Sequence, residues 1–248
     1  MKNTLRSLVA LLVLLGLPQL AHAQAASGGS AADKPAVGIA VKASTLGVGV
    51  DAAVRVHSKV NLRGTFNFLS MSHDFQNTDD NITYVGDLSF RSIAATVDYF
   101  PFGGGFHISP TFVLNNTNKV TLSSLIPAGK TIDIDSTPYQ SSSSNPIKAA
   151  GGVSFKSGRP GVMLGFGNIA GGHRVTVPFE FGVIFGGAPV GTLSFTGTAC
   201  QTNGTNCKDI ATDATIQTHV RAQEVKLNDT IKPLRFYPIL SLGLSFRF

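Results

Sequence analysis

From residue 36 onward, apolar and polar residues alternate with period two along most of the chain. Val37, Ile39, Val41 and Ala43 alternate with Gly38, Ala40 and Lys42, and past Ser44-Thr45 the apolar set moves to Leu46, Val48, Val50, Val54 and Val56. Successive strand side chains point to opposite faces, so such a change of parity predicts a two-residue hairpin or a bulge. Ser58-Lys59 reads as the next tight turn. Val60, Leu62, Phe66 and Phe68 then oppose Asn61, Arg63, Thr65 and Asn67. A long strand follows from Tyr84 to Phe100, with a parity shift near Ser92 that predicts a bulge. Phe106, Ile108, Phe112 and Leu114 alternate next with His107, Ser109, Thr111 and Asn115. The same period returns around Gly151, Val153 and Phe155, around Val162, Leu164 and Phe166, from Val175 to Phe185, and at Leu193 and Phe195. It ends with Leu240, Leu242, Leu244, Phe246 and Phe248 alternating with Ser241, Gly243, Ser245 and Arg247.

Twelve extended residues at about 3.3 Å each, tilted about 45°, rise roughly 28 Å, enough to cross the hydrocarbon core of a bilayer. After the first residues, no stretch is apolar for the eighteen positions a membrane helix needs, and the remaining way to satisfy every backbone group in lipid is a closed barrel. The fold expected is therefore all-β: an antiparallel transmembrane β-barrel of eight to twelve strands, ten being the best count, with both ends on the periplasmic side. Lys2 and Arg6 ahead of an apolar run from Leu8 to Leu17, then Ala21-His22-Ala23, have the order of a secretory signal peptide over 1–23. Residues 24–35, rich in Ala, Ser and Gly, read as a flexible periplasmic lead-in, and 36–248 as the barrel. External loops are predicted at about 72–83, 116–146 and 198–234, with a small hairpin near Lys130 to Asp135. Helical spacing of Ile216, Val220 and Leu227 predicts a helix or ordered flap in the last of them.

Three stretches carry a resemblance: Pro160-Gly-Val-Met-Leu-Gly-Phe-Gly167, Phe179-Glu-Phe-Gly-Val-Ile-Phe-Gly186 and Phe236-Tyr-Pro-Ile-Leu-Ser-Leu-Gly-Leu-Ser-Phe-Arg-Phe248. Together they resemble the small outer-membrane β-barrel proteins of Gram-negative bacteria, in the style of the OmpA, OmpX and OmpW barrels. The resemblance implies a place in the outer membrane, contact with its lipid and lipopolysaccharide, and reading of the C-terminal strand by the barrel-assembly machinery. Tyr237, Leu244, Phe246 and Phe248 would form that assembly signal. It implies no catalytic residues. Girdles rich in Trp and Tyr are usual in such barrels, whereas this chain has no Trp, 4 Tyr and 17 Phe.

Charge changes the picture little. A formal +6 over 248 residues, dispersed along the chain, argues against nucleic acid as a partner. Alternation places Lys42, Asp51, Arg55, Arg63, Asp87, Arg91, Asp98, Glu180 and Arg247 on the polar faces of their strands. They are expected to form a lumen charge network that neutralises itself, since unpaired buried charge is costly. The sharper alternative is a charged constriction that selects solutes. Cys200 and Cys207 flank a short polar segment and predict a loop disulfide in an oxidising compartment. His22, His57, His73, His107, His173 and His219 lack close metal spacing, so no metal or other cofactor is expected. His107 with Ser109 is the sole period-two pair that would suit a hydrolase, and enzymatic activity is not expected. The functions left open are a structural or surface-interaction barrel, expected to be monomeric, and a narrow channel for small solutes or ions.

Overall fold

A computed structural model describes residues 36–77 and 82–248, so the leader predicted at 1–23 and the lead-in at 24–35 lie outside the described residues. In chain order the elements are β1 (Val37–Ser44), β2 (Gly47–His57), β3 (Val60–Asn77), β4 (Ile82–Tyr99), β5 (Phe106–Asn116), β6 (Lys119–Leu125), β7 (Thr131–Ile134), β8 (Thr137–Ser141) and β9 (Lys148–Ser154). They continue with β10 (Arg159–Phe166), β11 (Val175–Thr176), β12 (Phe179–Phe185), β13 (Val190–Thr196), β14 (Thr198–Cys200), β15 (Lys208–Asp209), α1 (Ala214–Ile231), a 3₁₀ turn (Lys232–Arg235) and β16 (Phe236–Arg247).

Eight of the strands close a barrel in the cyclic order β1, β2, β3, β4, β5, β10, β12, β16, every pair antiparallel. The predicted turn at Ser58-Lys59 occurs as a tight hairpin, and the one expected at Ser44-Thr45 occurs one residue further on, at Thr45-Leu46. Pro178, which has no N–H to give to the ladder, interrupts the strand expected from Val175 to Phe185, yet β11 and β12 pair β16 in one register on either side of it.

The expected ten strands are corrected to eight. The periodic stretches around residues 151–155 and 193–195 are β9 and β13, which pair with each other, and β9 with β6, rather than with the barrel. Any antiparallel sheet with two distinct faces shows period two, so the pattern counts strands without saying which ones close the cylinder. β6 pairs the upper half of β4, so β4 belongs to the barrel below Ser92 and to a projecting sheet of β13, β9, β6, β4 and β3 above it. The bulge expected near Ser92 on β4 is also relocated: β4 pairs β3 without a break, and the register shift against β5 leaves Leu114 as the extra residue. Most of the loop expected at 72–83 is strand, and that expected at 116–146 contains β6 and the β7–β8 hairpin.

A cap completes the wide end. Sheet β15-β14-β8-β7 and the predicted helix, α1, enclose Ile82, Ile126, Ile134, Ile147, Ala199, Ile210, Ile216 and Val220. Asp213 caps α1 by accepting from the N–H groups of Thr215 and Ile216 at 3.1 and 3.0 Å. The outer edge of β13 is sealed by side chains of α1: Gly191 N–H donates to Asn228 Oδ1 at 3.0 Å, and Leu193 N–H to Glu224 Oε2 at 2.9 Å. Cys200 and Cys207 form a disulfide in this cap.

Candidate functional site: a sealed lumen

Barrel strands expose apolar side chains outward and bury polar ones. Leu242 is 55% exposed and Phe181 45%, whereas Asp51, Arg63 and Glu180 are at most 3% exposed. An eight-stranded barrel has an interior just wide enough to be filled by its own side chains. Here the filling is layered.

At mid-height the guanidinium of Arg63, on β3, donates to three carboxylates. Asp98 accepts at 2.8 Å, Asp51 at 3.4 Å, and Glu180 completes the set. Lys42 approaches Asp51 at 2.9 Å from β1. Hydroxyls fill the remaining acceptor sites: Thr65 donates to Asp51 at 2.6 Å, Ser109 to Asp98 at 2.6 Å and Ser241 to Glu180 at 3.2 Å. His107 Nε2 lies 3.2 Å from Glu180 Oε1. Gly165 stands between these two in register, and a Cβ there would come within 2.5 Å of His107 Nε2. The missing side chain lets the imidazole reach across β10 to the carboxylate. Buried charges need partners and hydrogen bonds to be tolerated, and the cluster supplies them at both terminal nitrogens of Arg63, leaving only its Nε without a partner.

Apolar layers close both ends. Toward the termini, the β10–β11 connection folds into the barrel, placing Ile169 and Ala170 against Ala40 and Ala53. Asn61 Nδ2 donates to Asn168 Oδ1 at 2.9 Å and Arg55 Nη2 to the carbonyl of Ala170 at 3.2 Å. A Cβ at Gly38 would come within 1.9 Å of the Ile169 carbonyl oxygen, so a larger residue there would expel the plug. Toward the cap, Val113, Met163, Ile184 and Ile239 pack with Leu46, Ala94 and Tyr237. The Tyr237 hydroxyl donates to the carbonyl of Thr45 at 2.7 Å, and Phe155 sets its ring edge-on to it at 5.5 Å. Between this layer and the charges lies a cavity of about 30 Å³ lined by Lys42, Thr65, Asn67, Ser92, Thr96, Thr111 and Ser241 among others. That is room for about one water molecule.

The network expected from alternation is therefore partly reassigned. Asp51, Arg63, Asp98 and Glu180 meet, with Lys42. Arg55 faces inward but holds the plug backbone instead of a carboxylate. Arg247 has lumen parity at the terminal rim, where its N–H bonds the Arg174 carbonyl. Asp87 lies above the barrel on the outer face of the projecting sheet, and Arg91 is outside, its guanidinium 5.8 Å from the Phe66 ring centre. Alternation counted from the apolar Leu88 and Phe90 misassigns both, because those two side chains have inward parity in the projecting sheet. In the expected assembly signal, Leu244, Phe246 and Phe248 are outward and exposed, whereas Tyr237 belongs to the lumen stopper.

His107 and Ser109 both join the charge cluster, one on Glu180 and the other on Asp98, rather than bonding each other. Thr65 and Ser241 were not singled out from the sequence, although the strand parity they share with Arg63 and Glu180 was the available signal. Asp98, His107 and Glu180 bring potential metal-ligand atoms within 4.8 Å of one another. Arg63 Nη2 donates to both carboxylates and so already supplies the positive charge a metal would bring.

No protein-family model matches the chain, and no curated protein matches it in sequence. Among solved structures it is similar to CarO of Acinetobacter baumannii, at 19% identity and a TM-score of 0.55, over 85% of this chain and 97% of that one. It is also similar to Acinetobacter baumannii CarO2, at 16% identity and a TM-score of 0.56, over 87% of this chain and 100% of that one. At such identities the likeness is one of fold. With its apolar exterior, closed hydrogen-bonded wall and polar interior, the chain has the architecture of the small outer-membrane β-barrels.

Proposed function

We propose that the protein is a sealed barrel of a Gram-negative outer membrane, exported by a cleaved leader, that holds a folded cap at the cell surface in a structural or surface-interaction role without catalysis. The observation that carries this reading is the buried Arg63–Asp51–Asp98–Glu180 cluster between two apolar layers, which occupies the space a conducting lumen needs. The two largest connections, 117–158 and 186–235, both lie at the end away from the termini, which matches the external side of bacterial barrels. The reading extends to a monomer whose outward C-terminal residues are recognised during assembly. Single-channel recording in planar bilayers tests it: the intact protein should show no steady conductance. Large, stable conductance, changed only in ion selectivity by Glu180→Ala, would show a narrow channel instead.

A further inference from the structure

We infer that the outer face of β4 and β6, at the cap-side rim of the barrel, binds the phosphate of an anionic membrane-lipid headgroup through Arg91, Lys119 and Ser89; the inference rests on the membrane-barrel reading above. On β3 and β4 the outward positions below this level include Leu62, Phe66, Phe68, Ile93 and Val97, and those above it are Ser70, Ser72, Asp74, Thr83, Asp87 and Ser89 with Val85 as the apolar exception. The boundary between lipid-facing and water-facing surface passes at Arg91, which is paired in register with Phe68. Its guanidinium lies over the Phe66 ring, so the stem follows the apolar belt while the charged head reaches the headgroup zone.

Lys119 is its neighbour. The Thr117 N–H donates to the Arg91 carbonyl at 2.9 Å, and Lys119 stands opposite Ser89, two residues further along both strands. Diagonal positions of this kind are about 7–8 Å apart on one face of a sheet, a separation a single phosphate can bridge with one oxygen toward each cation. The planar guanidinium suits bidentate contact, the ammonium adds a point charge, and the Ser89 hydroxyl can donate.

The two cations are also free to meet an anion, unlike three of the cap's lysines. Lys208, Lys226 and Lys232 are paired with Asp213, Asp135 and Asp229. Among the described residues neither Arg91 nor Lys119 forms an ion pair, and Asp87, the nearest carboxylate along the strand, accepts instead from Thr121 at 3.5 Å. Arg235 repeats the arrangement at the cap-side end of β16, 4.8 Å over the Phe236 ring and likewise without an ion pair.

The test uses the full protein in nanodiscs of phosphatidylcholine and phosphatidylglycerol, with native mass spectrometry counting the lipids of each kind that remain bound. A membrane-adjacent cation is worth about fivefold in binding an anionic lipid, so the unmodified protein should retain phosphatidylglycerol with a preference of about 25-fold. Arg91→Gln with Lys119→Gln should bring that preference close to parity, while Arg91→Lys should keep most of it. A double variant with undiminished preference, or an unmodified protein with none, would overturn the site. Displacement of the lipid by inorganic phosphate at equal concentration would overturn the assignment to a lipid. Insertion into pure phosphatidylcholine, followed by heat-modifiable gel mobility, needs no anionic headgroup. If the unmodified protein fails there, the membrane reading falls and the site with it.

Discussion

Along β4 a single strand serves two solvents. In its lower half Ile93, Val97 and Tyr99 face outward while Ser92, Thr96 and Asp98 face the lumen; in its upper half Ile82 and Tyr84 face inward to the cap core while Thr83, Asp87 and Ser89 face outward. The backbone does not slip between the halves, because β3 and β4 keep one register over their whole length. On the membrane reading proposed above, what changes is the medium against the outer face. Lipid favours apolar residues there and leaves the narrow interior to satisfied polar groups, whereas water reverses the preference. The barrel is thus held by hydrogen bonding and charge pairing within an apolar coat, and the cap by an apolar core within a mixed coat, where Met71, Phe75, Leu122, Leu125 and Val225 are exposed among polar residues.

The largest way to break this contrast is to remove the centre of the barrel. Arg63→Ala should leave Asp51, Asp98 and Glu180 buried without their common cation and cost about 3–5 kcal/mol, read from urea titrations in lipid vesicles. Unchanged stability would show that the charges are solvated, and with that the lumen would be open. A second experiment sharpens the comparison by placing the same charge on the two coats. Leu242→Arg, outward on β16, should cost about 2–4 kcal/mol, whereas Ser194→Arg, outward on β13 of the projecting sheet, should stay within about 0.5 kcal/mol. Similar costs at the two sites would contradict the proposed rim.

A smaller, purely local effect should distinguish the cap by pH. Lys208 at 2.8 Å and the Ile216 and Thr215 N–H groups hold the Asp213 carboxyl below the usual carboxylate range. A carboxyl with a lowered folded value adds stability above its unfolded value and loses it as pH falls through the folded one. The first turn of α1 should therefore fray in acid before the barrel changes. Hydrogen exchange at pH 6 and below pH 3 would show this as lost protection confined to the start of α1, and equal loss in β16 would argue against it.

How much was legible in the residues follows the same division. The exterior of the barrel was readable because lipid demands an apolar residue at every second position of every stave, so Leu240, Leu242, Leu244 and Phe246 declare their face. Asp51, Arg63, Asp98 and Glu180 followed as the opposite parity. Arg91 and Asp87 did not, because the parity shift near Ser92 reads as a bulge, whereas β4 keeps one register there and it is the polarity of its outer face that inverts. The plug formed by Ile169 and Ala170 was also hidden, since a polar, glycine-rich connection looks alike whether it hangs outside or folds inward.

By itself, then, the chain determined an antiparallel barrel-type sheet, a tight turn within one residue of Ser44-Thr45 and another at Ser58-Lys59, and the polarity of each barrel face, because alternation and turn chemistry are local properties. Closure at eight strands, diversion of β6, β9 and β13 into the cap, and the meeting of Arg63 with three carboxylates were decided by tertiary structure. Those features depend on which distant strands become neighbours, and the period-two code is the same whichever neighbour is chosen.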